Sequence, residues 1–584
     1  MTTLLDRLNS SEELKVAKNE NIKDASNYLR GTILDGLADQ STGSLVADDT
    51  QLTKFHGIYQ QDDRDLRKER RRNKLEAAYS FMIRVRVPGG VCSPKQWLEM
   101  DRLANEHANK TLKLTTRQAF QFHGVIKSNL KKTIFEINQS LLDTIAACGD
   151  VNRNVMCNPN PFLSEAHAGA QKVAQEISDH LTPQTKAYHE IWLTDSEGEK
   201  TKVTEDVEAE VEPLYGKYYL PRKFKICVAV PPNNDVDIFT NDLGYIAIIE
   251  DGKIIGYNVT VGGGMGMGHN NEKTFPRLAD VMGFCTPEQA VEVAEKVMLV
   301  QRDYGDREDR KHARLKYTIE DRGLEWFRNE VESRLGFKLE EARSFSFDNN
   351  ADRYGWSEGI NGNSNVSLYI ENGRVRDAEG EPFMTGLREI AKIHTGDFRL
   401  TPNQHLIIGN ITPEQRPKIE ALLKEYNLEK GYEATGLRLN SMACVALPTC
   451  GLSLAESERY LPDLIAELEE VIEDSGLTKE AITIRMTGCP NGCARPYVAE
   501  IAFVGRAPGK YNVYLGGGHA GQRLNKLYKN SCKADEIKAL LEPVIRDYAT
   551  SREVGEHFGD FVIRKEYVKE TIKGSEFHQD FVDH

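Results

Sequence analysis

KLTTRQ at residues 113–118 returns as RLTPNQ at 399–404, 286 positions later. Leu112, Leu114 and Thr116 alternate as a half-buried strand does, and the later copy sits in an apolar run from Phe398 to Ile408 that reads as one strand. A second echo pairs YNVTVGGG (257–264) with YNVYLGGG (511–518). A third sets Cys157 of NRNVMC (152–157) against Cys444 of NSMAC (440–444). Three echoes in one order and at similar offsets read as an ancient duplication into two pseudo-equivalent halves.

Working outward, Phe81–Val87 reads as a strand, and Ser93 with Pro94 supplies the N-cap and first turn of a helix. Leu130, Ile134, Ile137 and Leu141 mark one face of a second helix. The later half repeats this order, with a strand at Val366–Ile370, an Asn372-Gly373 hairpin signal and a helical stretch at Leu387–Ile393. The fold class is α+β, and a duplicated chain of this kind places its site on the pseudo-twofold between the halves.

Composition narrows the function. At 584 residues the chain exceeds what one core supports, so several domains are expected. A net charge of −14 argues against general nucleic-acid binding, and the basic run Arg67–Lys74 reads as a solvated helical stretch. No apolar run approaches the length of a membrane span, and the first residues carry acids that an import presequence avoids. Ten cysteines are too sparse for a disulfide scaffold. A reducing, cytoplasmic setting follows as the expectation.

The cysteines that do cluster are Cys444 and Cys450, then Cys489 and Cys493 within TGCPNGCAR (487–495). Four thiolates from two loops are the ligand set of an iron–sulfur cluster. A structural zinc site also takes four, but a five-residue gap fits its usual knuckle poorly. Cys92, Cys148, Cys157, Cys227, Cys285 and Cys532 lack partner spacing and read as buried thiols.

TGCPNGC, NSMACVALPTC (440–450), LPRKFK (220–225) and NRNVMC together resemble the siroheme-containing sulfite and nitrite reductases. The leader segments SNYLRGTI (26–33) and FHGIYQQDDRD (55–65) extend the likeness over nearly the whole chain and lean toward the NADPH-linked sulfite-reducing branch. The resemblance implies two ferredoxin-like half-domains joined on a pseudo-twofold, with two further α+β domains that bind siroheme and the cluster. The divisions it suggests are a flavoprotein-docking extension (1–74), half-domains at 75–145 and 346–428, a siroheme and substrate domain (146–345) and a cluster domain (429–584). It further implies a [4Fe–4S] cluster on Cys444, Cys450, Cys489 and Cys493, with Cys493 also ligating the siroheme iron.

Substrate contacts carry over to Arg84, Arg153, Lys223 and Lys225. Siroheme contacts carry over to Lys113, Thr115, Arg117, Gln121, His123, Arg222 and, in DRKHARLK (309–316), Arg314. Lys113 stands where relatives have arginine, which keeps charge but loses bidentate carboxylate pairing. If PRKFKICVAV is a strand, Lys223 and Lys225 share a face, as Arg84 and Arg86 do. The triple glycines 262–264 and 516–518 read either as tight turns or as points where backbone approaches the macrocycle.

VGGGMGMGH (261–269) contains no G-x-G-x-x-G register, so no dinucleotide fingerprint is present. NADPH-derived electrons would come through a separate flavoprotein subunit. The expected reaction is six-electron reduction of sulfite to sulfide for cysteine biosynthesis. Nitrite reduction and a non-catalytic interaction protein built on zinc or a cluster are the alternatives.

Overall fold

The computed structural model describes residues 15–185, 192–194, 200–202, 211–581 and 583–584, and in it the first two echoes fall at matching places in two copies of two sheets. The third is one residue out: Cys157 lies opposite Val228 as Ala443, not Cys444, lies opposite Met486. One half-sheet runs in the order Ile58–Asp62, Tyr79–Val85, Phe120–Val125, Leu112–Leu114 and Arg374–Val375. Its counterpart runs Gly355–Glu358, Ser364–Leu368, Leu406–Ile411, Asp397–Leu400 and Val91–Cys92. The last strand of each comes from the opposite half. Arg374 lies opposite Lys113, and Cys92 lies opposite Phe398. Each half thus covers an edge that the other would leave unpaired.

The crossings need glycine. Gly90 and Gly373 have φ of +77° and +68°, and a Cβ on either would lie 2.4 Å from a backbone oxygen, that of Leu400 or Leu114. The Asn372-Gly373 turn therefore sends the chain across to the other half instead of closing a local hairpin. Helix Pro94–His107 starts with a Ser93 capping box and packs on helix Phe383–Ile393. Trp97 stacks on Phe398 at 4.7 Å, so both halves share one core.

The second sheet is also duplicated. Met156–Cys157, Ile226–Ala229, Leu243–Glu250, Lys253–Val261 and Asp280–Cys285 match Ser441–Ala443, Ile484–Thr487, Ile501–Ala507, Lys510–Leu515 and Lys526–Lys533. Both run parallel, parallel, antiparallel, antiparallel. Register agrees as well: Met156 faces Cys227 as Met442 faces Arg485, and Leu243 faces Ile226 as Ile501 faces Ile484. Lys225 therefore corresponds to Thr483, Asp242 to Glu500, Asp235 to Cys493 and Asp237 to Arg495.

Several expectations need correction. Phe398–Ile408 is two strands split by a turn in which Thr401 N–H donates to the His405 carbonyl at 2.9 Å. The second helix ends at Gln139, and Leu141, at φ +63°, is 90% exposed instead of facing the core. The strand after LPRKFK begins at Ile226, so both lysines lie on the extended approach to it. The division at residue 74 does not separate an extension from the body. Ile58–Asp62 is the half-sheet's edge strand, and buried Glu20 pairs with Arg307 (2.5 Å) and Lys23 (2.6 Å). Residues 1–14 of that extension lie outside the described residues. The basic run does form an exposed helix, Arg67–Arg72.

Candidate active site between the two halves

Parallel neighbours end on the same edge, so strands Ser441–Ala443 and Ile484–Thr487 deliver Cys444 and the Gly488–Cys493 loop side by side. The Gly488 N–H donates to Cys444 Sγ at 3.4 Å, and Asn491 Nδ2 donates to Cys489 Sγ at 3.4 Å. The Gly488 carbonyl accepts from Leu454 N–H (2.7 Å) and Ala455 N–H (3.1 Å), tying this loop to the one bearing Cys450. A Cβ at Gly488 would lie 2.1 Å from Ser453 Oγ, which fixes glycine there.

The thiols of Cys444, Cys450 and Cys489 are all pushed up, first by burial and then by the nearby Cys493. The four sulfurs thus share one field. Yet among the described residues the donor groups that close to within 4.8 Å are Glu500/His519/His557 and Glu106/His107/Glu136, not the cysteines. One zinc ion with bonds of about 2.3 Å needs its sulfurs within roughly 4 Å of each other. The wider spread suits four corners of a cubane, and N–H donors to sulfur tune such a cluster.

Opposite these thiols lies a group of cations. Arg84 and Arg153 both donate to the Ala147 carbonyl, at 3.3 and 3.2 Å. Arg153 also grips the Gly149 carbonyl through Nε (3.0 Å) and Nη2 (2.8 Å). The Gln121 amide oxygen accepts from Arg84 Nε at 2.8 Å and Nη2 at 2.6 Å, which fixes that guanidinium. The field at Arg84 includes Cys493 and Cys450, so the two groups face one another.

Lys223 is lowered to about 7, by burial and then by Arg314 and Arg222, while Cys493 opposes the shift. Lys225 is lowered by burial and then by Lys223 and Arg117. Arg222 is brought to about 10 and Arg117 to about 9, burial leading in both. Among the described residues no ion pair forms within 4.0 Å of the side-chain nitrogens of Arg222, Lys223 or Lys225, although Asp242 accepts the Lys225 backbone N–H. Buried charge is ordinarily paired, so this pocket is built for anions. Arg117 Nε and His123 Nδ1 are buried and likewise lack partners.

Other expected contacts are engaged within the chain. Lys113 is buried against Glu458 (2.8 Å) and the Asn372 carbonyl, with Arg374 completing the group at 2.6 Å from Glu458. Arg314 holds Asp242 through two nitrogens at 2.8–3.0 Å. Thr115 Oγ1 accepts from the N–H groups of Arg117 (3.3 Å) and Ala119 (3.1 Å), shaping the turn. Thr116 Oγ1 donates to the Cys493 carbonyl at 2.9 Å, so KLTTRQ touches the cysteine loop directly. The middle glycines of the triplets pack against the chain's own backbone: a Cβ would lie 2.2 Å from Phe239 O at Gly263 and 2.3 Å from Ala499 O at Gly517.

Sequence reading missed the part played by the leader. Lys54, lowered to about 8 by burial and then Arg310, adds a cation beside Arg222. Tyr59 lies in the field of Arg153 and Arg84. Arg64 donates to the carbonyls of Cys450 (3.3 Å) and Ser453 (2.5 Å). The signal was present in FHGIYQQDDRD, but a linear pattern does not say which wall such residues join.

Comparison with known proteins agrees with this geometry. The model described as nitrite/sulfite reductase ferredoxin-like half domain matches residues 73–139 and 361–426, and the nitrite and sulphite reductase 4Fe-4S domain matches 172–339. The chain is 60% identical over 559 residues to the sulfite reductase [NADPH] hemoprotein beta-component of Geobacillus kaustophilus, covering 96% of this chain and 97% of that one. It is 58% identical over 570 residues to the protein of that name from Staphylococcus haemolyticus, covering 97% and 98%. Among solved structures, Mycobacterium tuberculosis NirA superposes with a TM-score of 0.76 at 27% identity, covering 96% of this chain and 98% of that one.

Proposed function

The chain belongs to the nitrite and sulfite reductase family, and from that membership we propose that it is the hemoprotein of an assimilatory sulfite reductase, reducing sulfite to sulfide by six electrons. The observation that carries this reading is the set of buried cations, Arg84, Arg153, Arg222, Lys223 and Lys225, that form no ion pair among the described residues and face four thiols across the pseudo-twofold. Siroheme and a [4Fe–4S] cluster, once bound, would supply a reducible iron and an electron store beside it. Cys444, Cys450, Cys489 and Cys493 would hold the cluster, with Cys493 shared with the siroheme iron. The unpartnered Arg117 Nε and His123 Nδ1, together with Arg222, suit a macrocycle rimmed with carboxylates.

Arg84 and Arg153 clamp the substrate anion. Each cation about 4 Å from sulfite contributes roughly 4 kcal/mol before desolvation at an effective dielectric near 20. Lys223 and Lys225 hold the protons that sulfite's oxygens need. A lysine held near 7 is poised to give up its proton at neutral pH. Gln121 aims Arg84, while Lys113, Thr115 and Arg314 position the walls.

NADPH is read as the distant electron source, delivered by a flavoprotein subunit in the cytoplasm for cysteine biosynthesis. The missing dinucleotide fingerprint supports a separate carrier. Removing residues 1–14 tests docking without removing the edge strand. Loss of NADPH-linked turnover with retained dye-linked turnover supports a docking role, and unchanged turnover with both donors refutes it.

The deciding experiment is a visible spectrum of the purified protein with iron and acid-labile sulfide counts, followed by kcat/KM for sulfite and nitrite. Haem bands with a cluster and a preference for sulfite are expected. A colourless protein, or cluster absorption without haem bands, overturns the reading. A preference for nitrite moves the chain to the other branch of its family.

A further inference from the structure

The duplicated sheet places a second polar cluster where the Asp242–Arg314 pair stands in the first half. Asp242 and Glu500 occupy matching register positions, and each accepts the N–H of a residue preceding the neighbouring strand. Lys225 donates to Asp242 at 3.0 Å, and Thr483 donates to Glu500 at 2.8 Å. In the first half Asp242 is closed by Arg314, the residue before helix Leu315–Arg322. In the second, the residue before helix Phe558–Arg564 is His557, with His519 beside it. Guanidinium has no lone pair to offer, whereas imidazole has.

Glu500 is fully buried, and its other oxygen accepts the Gly559 N–H at 3.0 Å. His519 Nδ1 lies 3.3 Å from Glu500 Oε2, and the two imidazoles are stacked 3.7 Å apart and parallel to within 2°. One donor atom from each of the three residues lies within 4.8 Å of the other two. We propose that Glu500, His519 and His557 form a binding site for a zinc-class divalent cation, in the place where the other half uses an arginine.

Two imidazoles and one carboxylate are an established zinc ligand set. The N–H donors of Thr483 and Gly559 fix the carboxylate as outer-shell partners do. Burial lowers His519, but the carboxylate of Glu500 outweighs it and leaves this imidazole raised. His557 is lowered, first by burial and then by His519. Metal binding requires the ligating imidazole nitrogens to be unprotonated, so an arriving cation competes with protons for them. Parallel rings aim their lone pairs side by side, so binding turns one ring out of the stack. His557, the more exposed of the two, is the ring that moves. The other candidate triplet, Glu106, His107 and Glu136, is already neutralised by Arg102, which pairs with Glu136 at 2.9 Å and also with Glu106.

The test uses the purified holoenzyme incubated with zinc chloride, desalted, and assayed by mass spectrometry for zinc per chain. The parent is expected to retain about one zinc more than His557→Phe, which keeps an aromatic ring in the stack, or His519→Gln. Zinc should raise the unfolding temperature of the parent and not of the variants, while dye-linked turnover is the same in all three. Equal zinc in parent and both variants, or none retained by the parent, overturns the site. Because zinc stoichiometry is counted separately from haem, this outcome is independent of the reading of the reaction.

Discussion

The two copies of the parallel–antiparallel sheet share strand order and register, yet one carries cations and the other carries thiols. Where the second half has Thr483, the first has Lys225; where the second has Cys493, the first has Asp235. The matching residues Asp237 and Arg495 meet each other. Both have left-handed backbones, at φ +45° and +52°, and they form a buried ion pair joined by Arg485 at 2.6 Å. Duplication thus supplied a symmetric frame, and divergence at matching positions supplied the opposed chemistries that one asymmetric site requires.

The largest effect should follow from removing the second half's speciality. Cys493→Ser is expected to lose the haem and cluster absorption and to reduce sulfite turnover to background. The matching change in the first half, Asp235→Asn, should leave both spectra intact, because Asp235 is buried beside Asn158 (2.8 Å) and outside the thiol group. Spectra and iron counts on the two variants check this. Intact haem bands in Cys493→Ser would break the comparison at its centre.

Next in size is the contact on the axis. Asp237→Asn leaves Arg485 and Arg495 buried without their carboxylate, a change that costs about 3–5 kcal/mol. Denaturant unfolding should show the midpoint falling. A loss under about 1 kcal/mol would mean that the pair does not hold the halves together.

The first half's speciality comes third. Arg153→Ala and Lys223→Met should each lower kcat/KM for sulfite by about 10²–10³, the usual cost of one preorganised charge donor. The pH dependence has a definite sign. Lys223 sits at about 7, below its ordinary 10.5, so its proton is held below about 7 and lost as pH rises through it. The same shift means that the charged lysine destabilises the fold below about 7, and this penalty fades between there and 10.5. Bound sulfite adds negative charge, so the basic limb of kcat should lie above that of kcat/KM. Lys223→Arg should flatten the limb, and an unchanged profile would remove Lys223 as the proton donor.

How much of this was legible in the sequence depends on whether a signal was local. The duplication was readable because echoing letters such as KLTTRQ and RLTPNQ sit at turns where side chains bond to backbone, and few residues satisfy such geometry. That the four cysteines of the last quarter gather in one place was readable from spacing alone. The exchange of edge strands was not, because Val91–Cys92 and Arg374–Val375 are two residues long and carry no periodicity. Leu141 misled because its apolar spacing continued past the helix end. Nor could spacing show that Lys113 and Arg314 are already neutralised, since Glu458 and Asp242 are distant in the chain. Leader residues looked detachable because polar side chains that line an internal pocket leave the same pattern as those facing solvent.

The smallest predicted effect tests the echo itself. Gln118 Nε2 donates to the carbonyls of Gly89 (3.3 Å), Cys157 (3.0 Å) and Leu400 (2.9 Å), and its oxygen accepts the Cys157 N–H at 3.1 Å. Its counterpart Gln404 donates to Ala443 O at 3.0 Å and leaves its own oxygen buried without a partner. The second half has therefore released one end of this tether, one residue before Cys444. At about 1 kcal/mol net per hydrogen bond, Gln118→Ala should cost roughly 2–4 kcal/mol and Gln404→Ala about 1. Paired denaturant titrations read the difference. Equal losses would show that both glutamines act as filler, and that the letters shared by the halves survive from descent without a common physical task.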